Sequence, residues 1–356
     1  MPSIDYFQER VQAAAAGKHQ LRIRGGGSKD WYGQRLEGEI LDTRGYTGIV
    51  DYEPTELVIT ARCGTPLSEI EAVLAERKQM LAFEPPHFGS VGSSCATLGG
   101  TIAAGLAGPR RASSGGVRDF VLGAKLLDGK GDVLTFGGQV MKNVAGYDVS
   151  RLLAGSLGTL GLLLEVSVKV LPKPIAETTL RIEIGEIDAI RTLNEWGGQP
   201  LPISGSCWHQ GSLWLRLSGA RAAVDAAVRG IGGEVDEDCD AFWASVREQQ
   251  HPFFAGEGAL WRLSVPSTTG AIVLGGIDGK SQLIEWGGAQ RWLRTGLDAA
   301  TIRSTVSAVG GHATLFRGGD KSAGVFQPLA PAVARIHERL KASFDPANIF
   351  NPGRMV

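Results

Sequence analysis

The sequence predicts an α+β protein in two domains, and three observations carry that reading. Short apolar runs of strand length, Leu21–Arg24 and Leu57–Thr60 among them, alternate with segments of helical periodicity. The alternating run 162–171 (LLLEVSVKVL) is closed by Pro172-Lys173-Pro174, and prolines cannot continue a central strand, so a domain boundary is expected there. At 356 residues the chain also exceeds the usual size of one compact core.

The elements follow in order. Ile4, Phe7 and Val11 recur at helical spacing ahead of Ala13–Ala16, and Gly17 is the expected stop. Leu21–Arg24 is a short strand running into three glycines. Pro66 opens a helix whose apolar face is Leu67, Ile70, Val73 and Leu74, set against Glu69, Glu71, Glu76 and Arg77. Phe120–Leu127 and Val133–Phe136 bracket Asp128-Gly129-Lys130-Gly131-Asp132, a hairpin signature. Beyond the proline pair, Leu180–Ile184, Leu213–Leu217 and Leu260–Val265 read as strands. Arg221–Arg229 and Pro331–Ser343 read as helices, the latter with Val333, Ile336 and Leu340 on one face.

Composition narrows the function. Lys+Arg of 36 against Asp+Glu of 37 gives a formal charge of −1 with no basic stripe, which argues against nucleic acid as a partner. Cys63, Cys95, Cys207 and Cys239 are far apart and form no CxxC pair, the pattern of free thiols in a reducing compartment. The start, MPSIDYFQER, has no apolar core of signal length, and no run approaches a bilayer span, so a cytoplasmic protein without a transmembrane segment is expected. The six histidines show no metal-ligand spacing, and no metal is expected.

The fifty glycines are clustered. The first cluster, Gly25-Gly26-Gly27-Ser28, follows a strand and is flanked by Arg24 and Lys29. Bare backbone there lets a ligand approach the amide N–H groups, a geometry that suits a pyrophosphate. The second spans Thr97 to Arg111, where small residues dominate. Glycine weakens a helix by roughly 1 kcal/mol per residue, so this stretch is read as a flat wall against a ligand rather than as a helix. The third, Gly155-Ser156-Leu157-Gly158-Thr159-Leu160-Gly161-Leu162, turns into the long strand. It spells GxxGxxG and opens no helix, unlike a Rossmann fingerprint. Gly279-Lys280-Ser281 lacks the upstream glycine of a P-loop, since position 274 is Leu274, and Ala154–Gly158 misses the GxSxG elbow.

The succession RGGGS, YEPTELVITARCGTPLSEIE, ATLGGTIAAGLAGPRR, VRDFVLGAKLLDGKGDVLTFGG and KNVAGYDVSRLLAGSLGTLG resembles flavoproteins of the vanillyl-alcohol oxidase and p-cresol methylhydroxylase (PCMH) type. Asp345–Arg354 is similar to the DPxxxxNPG tail with which that superfamily returns its C-terminus to the flavin. Within it, RGGGSKDWYG, GPRRASSGGVRD and GGHATLFRGGD are most similar to FAD-binding subunits of bacterial glycolate dehydrogenases. The resemblance implies a two-lobed PCMH-type FAD-binding domain over 1–172, with lobes of about 1–60 and 61–172. It implies a shortened α+β cap over 173–340 and a tail over 341–356. It implies FAD held by Arg24, Gly25, Gly26, Gly27, Ser28, Lys29, Pro86, Leu98, Gly99, Gly100, Thr101, Gly105, Gly108, Gly158, Leu162 and Asn351. Ser28 stands where many relatives carry the histidine bonded to the ring, and a hydroxyl cannot form that bond, so the FAD is expected to be non-covalent.

The same resemblance implies a larger flavin-bearing catalytic subunit and an iron–sulfur subunit as partners, a small 2-hydroxy acid such as glycolate as substrate, and membrane contact only through partners. Catalytic relatives carry a GDGNxH-like segment where this chain has Gly310-Gly311-His312-Ala313-Thr314-Leu315-Phe316-Arg317, without the DGN element. His312 and Arg317 are the candidate catalytic residues, with Arg110 and Lys142 as further candidate cations for a substrate carboxylate. Three functions stay open: a flavin-binding subunit of a glycolate dehydrogenase, a self-sufficient FAD-dependent D-2-hydroxy-acid dehydrogenase, and an assembly subunit whose FAD is structural.

Overall fold

The computed structural model describes residues 2–89, 95–138, 148–274 and 281–355, which divide into two compact units. The first comprises residues 1–106, 116–172 and 328–356; the second comprises 107–115 and 173–327. The division thus adds 107–115 to the second unit and returns 328–340, read from sequence as cap, to the first.

In the first unit, five antiparallel strands run in the order Ile49–Glu53, Val58–Arg62, Leu162–Lys169, Val121–Leu127, Val133–Gly137. Leu162–Lys169 is central and buried at six of its eight positions, as the apolar run requires. The strand Ile49–Glu53 belongs to this sheet, so the expected lobe border near residue 60 cuts through it. The hairpin turn forms where expected: the Asp128 carboxylate accepts from the amides of Lys130 and Asp132, both at 2.9 Å, and Gly131 adopts φ 88°. Helix Ile4–Gly17 is capped by Ser3, whose hydroxyl accepts from the Tyr6 amide, and buries Phe7, Val11 and Ala14. Lys18, not Gly17, takes the left-handed cap conformation.

One expectation is corrected here. Leu98–Ala104, read as a flat wall, is a short helix between a Thr97 cap and Gly105 at φ 64°. A β-carbon at Gly99 would lie 2.6 Å from Cys63 Cβ, so the helix packs onto that backbone more closely than any other residue allows. That close packing and the two caps offset glycine's weak propensity. Helix Pro331–Phe344 forms as predicted, but none of its residues is buried, and Val333 and Ile336 are 40% and 62% exposed.

Among the described residues the second unit carries one eight-stranded antiparallel sheet. Its first half, Ala176–Glu183, Ile203–His209, Ser212–Gly219 and Glu234–Asp236 with helices Glu186–Gly197 and Arg221–Ile231, is a βαββαβ motif in the ferredoxin-like strand order 4-1-3-2. The second half repeats that order with Ala259–Ser264, Gln282–Glu285, Gln290–Thr295 and His312–Arg317, and with helix Ala299–Ala308 ahead of its last strand. Each half has its own apolar cluster, around Leu180, Leu215 and Val224 in one and Leu263, Ile302 and Val306 in the other.

His209 and His251 pack ring to ring in this unit, with centroids 5.5 Å apart. Burial, reinforced by His209, pushes His251 down to about 4 from an ordinary 6.5. Between those values the unfolded chain binds a proton that the folded chain refuses, so stability falls as pH drops from 6.5 toward 4. Acid melting curves of His251→Asn are expected to fall less steeply across that window than those of the wild type.

Candidate functional site

The site is built where the strand Leu21–Arg24 ends. That strand pairs in parallel with Glu39–Asp42 on one side and bridges Phe350 of the tail on the other. The chain then turns through Gly25–Ser28, with the Asp30 amide donating to the Gly27 carbonyl at 3.1 Å and Gly27 at φ 77°. Bare backbone is needed here for fit as well as for conformation. A β-carbon at Gly26 would lie 1.3 Å from the Cys95 carbonyl oxygen, and one at Gly25 would lie 2.3 Å from Thr97 Oγ1. The amide N–H groups of Gly26, Gly27 and Ser28 make no hydrogen bond among the described residues. A row of amides of this kind is an anion-binding concavity.

Charge around the loop is positive but shared. Asp30 accepts from Arg22 at 2.5 Å and Arg24 at 2.8 Å, so Arg24 braces the loop through Asp30 as well as lending it potential. Lys29 Nζ donates to Ser28 Oγ at 3.3 Å and sits 5.5 Å over the Phe88 ring. Arg354 donates to the carbonyls of Lys29 and Arg35; it is 7% exposed, and burial lowers its pKa to about 10 although Asp30 opposes the shift.

The tail holds the site from the other side. The buried Asp345 carboxylate accepts from Lys341 at 2.5 Å and from the amides of Ile349 (3.0 Å) and Phe350 (2.8 Å). This cap aims Asn351 back at the first strand. Asn351 Oδ1 accepts from the Ile23 amide at 2.8 Å, and its Nδ2 donates to the Leu157 carbonyl at 2.6 Å. Strand, glycine turn and C-terminus are thereby tied together by one side chain.

Two narrow adjoining clefts result. Arg24 to Lys29, Gly100 and Asn351 line one, and Gly99, Gly158 and Leu162 line the other, which shares Gly25, Gly100 and Asn351. The remaining expected residues lie elsewhere. Leu98 and Pro86 are buried. Thr101 is buried with its hydroxyl unpartnered among the described residues, and it does not line either cleft. Gly105 ends its helix, where a β-carbon would meet Gly155 at 2.8 Å. Gly108 belongs to the second unit, where its carbonyl accepts from Trp286 Nε1. Thr43, Cys63, Ala103, Leu157 and Arg354 also line the clefts and were not expected; of these only Arg354, one residue past the NPG signature, carried a sequence cue.

The candidate catalytic residues are on the second unit's edge strand. His312, exposed at the start of that strand, pairs with Ser264 in register; desolvation of its ring, then Arg262, lowers its pKa. Arg317 is half-buried, and burial, then Arg294, lowers its pKa. Arg110 is committed to an ion pair with Glu177 at 2.7 Å in that unit. Lys142, and with it most of KNVAGYD, lies outside the described residues, as do Gly279 and Lys280. Among the described residues no cluster of three or more His, Cys, Asp or Glu could hold a metal, and no helix is long and apolar enough to cross a membrane.

Of the cysteines, Cys95 is exposed next to the loop, while burial pushes Cys63 up to about 12 and raises Cys207 well above the ordinary thiol value. A thiol reagent is expected to label native Cys95 and to leave Cys63 and Cys207 silent until unfolding, which peptide mapping would show.

Comparison with known proteins decides the family. The "FAD binding domain" family matches residues 2–137. The chain is 51% identical to glycolate oxidase subunit GlcE of Escherichia coli over 354 residues, 99% of this chain and 97% of that one. The chain belongs to the GlcE family. This chain is also 39% identical to glycolate oxidase subunit GlcD of Bacillus subtilis over 142 residues, 40% of this chain and 29% of that one. Among solved structures, alkyldihydroxyacetonephosphate synthase superposes with a TM-score of 0.66 at 13% identity, over 98% of this chain and 75% of that one, a likeness of fold. FAD is the group the family implies, and the unpartnered amide row, on glycines packed against Cys95 and Thr97 too closely for any side chain, fits its pyrophosphate.

Proposed function

We propose that this chain is the FAD-binding subunit of a complex that oxidises glycolate, or a close 2-hydroxy acid, to the 2-oxo acid. The end-to-end likeness to a glycolate oxidase subunit carries the reading, and the cleft beneath the Gly25–Ser28 loop supports it. A larger flavin-bearing subunit and an iron–sulfur subunit complete the proposed assembly. FAD, when bound, would accept the electrons removed from the substrate carbon and pass them on.

The chain's own residues divide the remaining work. The amides of Gly26, Gly27 and Ser28 would hold the pyrophosphate, and Arg24, Lys29 and Arg354 would offset its charge. Gly99, Gly100, Gly158 and Leu162 would let the ring system lie against main chain and exclude water. Asn351 keeps the strand, the Leu157 turn and the tail in register around it. His312 and Arg317 are the proposed polar groups on the substrate side, His312 as a neutral imidazole able to take a proton and Arg317 as a carboxylate partner.

The test is co-purification followed by anaerobic mixing with glycolate. The reading expects the flavin of the isolated chain to stay oxidised and to bleach once the partner subunits are present. Bleaching of the isolated chain would instead support a self-sufficient dehydrogenase. Because Ser28 offers only a hydroxyl, acid precipitation is expected to leave the flavin in the supernatant; yellow precipitate would contradict non-covalent binding.

A further inference from the structure

The second unit contains a cavity of about 610 Å³ that the flavin reading leaves unused. It opens where the hairpin of Ile203–His209 and Ser212–Gly219 turns over beside His251–Phe253. Three of its groups have defined polarity. His209 Nδ1 lies 2.7 Å from the Gln282 carbonyl, which can only accept, so Nδ1 carries the proton and Nε2 presents a lone pair. His251 is the reverse: Nδ1 accepts the Phe253 amide at 3.3 Å, so Nε2 carries the proton. Burial lowers the pKa of both rings, which keeps this donor–acceptor pair neutral at physiological pH.

Arg294 supplies the third group. It donates Nε to the Phe253 carbonyl, Nη1 to Gly258 and Nη2 to Phe254, and no carboxylate among the described residues pairs with it. Three of the five guanidinium N–H bonds are thus used on neutral oxygens, leaving two donors and an uncompensated positive charge. Arg181, also on the wall, is already paired with Glu183 at 2.9 Å, and the cavity's Glu257 is exposed at its rim.

We propose that this cavity binds a small oxyanion carrying its own hydroxyl, a hydroxycarboxylate, with the anion on Arg294 and His251 Nε2–H and the hydroxyl donating to His209 Nε2. A plain carboxylate leaves the His209 lone pair unmet, and a neutral alcohol leaves the Arg294 charge unmet. Trp214 and Phe253 supply aromatic wall for a carbon skeleton longer than two carbons. Hydrogenphosphate shares the same chemistry, an anion with one O–H, and the test separates the two.

The test is nitrogen NMR of the FAD-loaded full-length protein labelled at histidine, titrated anaerobically with glycolate, acetate, hydrogenphosphate and sulfate. The free protein is expected to show His209 protonated at Nδ1 and His251 at Nε2. Glycolate is expected to shift both rings saturably, with acetate about tenfold weaker for want of one hydrogen bond worth about 1.4 kcal/mol. Arg294→Gln is expected to abolish the response. His251→Gln, which leaves the Arg294 bonds intact, is expected to weaken it and guards against misfolding of the first variant. Hydrogenphosphate outcompeting glycolate, with sulfate inert, would uphold the site and assign it to phosphate. Rings unmoved by all four anions, or moved equally by acetate and sulfate, would overturn the proposal. The readout sits on His209 and His251, so it is independent of any glycolate held elsewhere.

Discussion

Gly26→Ala is expected to purify without bound flavin and to bind added FAD about 100-fold more weakly or worse, a loss of about 2.8 kcal/mol. The new methyl would fall 1.3 Å from the Cys95 carbonyl oxygen, which is main chain and cannot swing aside. Either the loop lifts from the Cys95–Thr97 backbone or that backbone retreats, and in both cases the amides of Gly26, Gly27 and Ser28 cease to share one concavity. The variant's melting temperature should fall below that of flavin-stripped wild type, since the displaced main chain costs stability in addition to the lost ligand binding. Gly230→Ala serves as the control. It lies in the helix Arg221–Ile231 with nothing within 4 Å of the added carbon, so flavin content should be unchanged and stability equal or slightly higher. Full flavin occupancy in Gly26→Ala would contradict the assignment of the loop.

Asp345→Ala is expected to be the most destabilising single change in the tail. Its carboxylate is 1% exposed and receives Lys341 and two backbone amides. Only the Asp345 end of this pair is fully buried, and removing its carboxylate leaves two amides and the half-buried Lys341 without their acceptor, a loss of about 1.5–3 kcal/mol. Lys341 also donates to the carbonyls of Thr159 and Phe350, so it would remain half-buried among neutral oxygens. Flavin affinity should fall with stability, since Asn351 and Arg354 are placed by this cap. The double variant Lys341→Met, Asp345→Ala should recover part of the stability measured by urea unfolding, and recovery of none would argue against an electrostatic origin.

The parts of this protein that were legible in its sequence are those whose causes are local. The glycine turn closed by the Asp30 amide on the Gly27 carbonyl, the turn at Asp128–Asp132 and the Asp345 cap of the DPANIFNPG tail each rest on hydrogen bonds within a few residues. The helix Leu98–Ala104 was misread because its justification is tertiary: Gly99 costs helix propensity but permits contact with Cys63, and no window of sequence shows that partner. Arg354 was missed for a similar reason, as a cation near a chain end looks solvated until it is seen donating to the Lys29 carbonyl. Gly108 sat inside a glycine-rich run whose members share composition but not surroundings. Val333, Ile336 and Leu340 have the spacing of a buried face, yet periodicity reports only that a face is apolar, not that anything covers it.

The account rests on the claim that backbone from the Gly25–Ser28 loop, the glycine turn at Gly158 and the C-terminal tail together hold one FAD. Titration of FAD into the flavin-stripped chain, followed by quenching of flavin fluorescence, tests this most directly. The account predicts saturable binding that ends near one flavin per chain and is lost in Gly26→Ala. A wild-type chain that leaves the fluorescence of added FAD unquenched would contradict it.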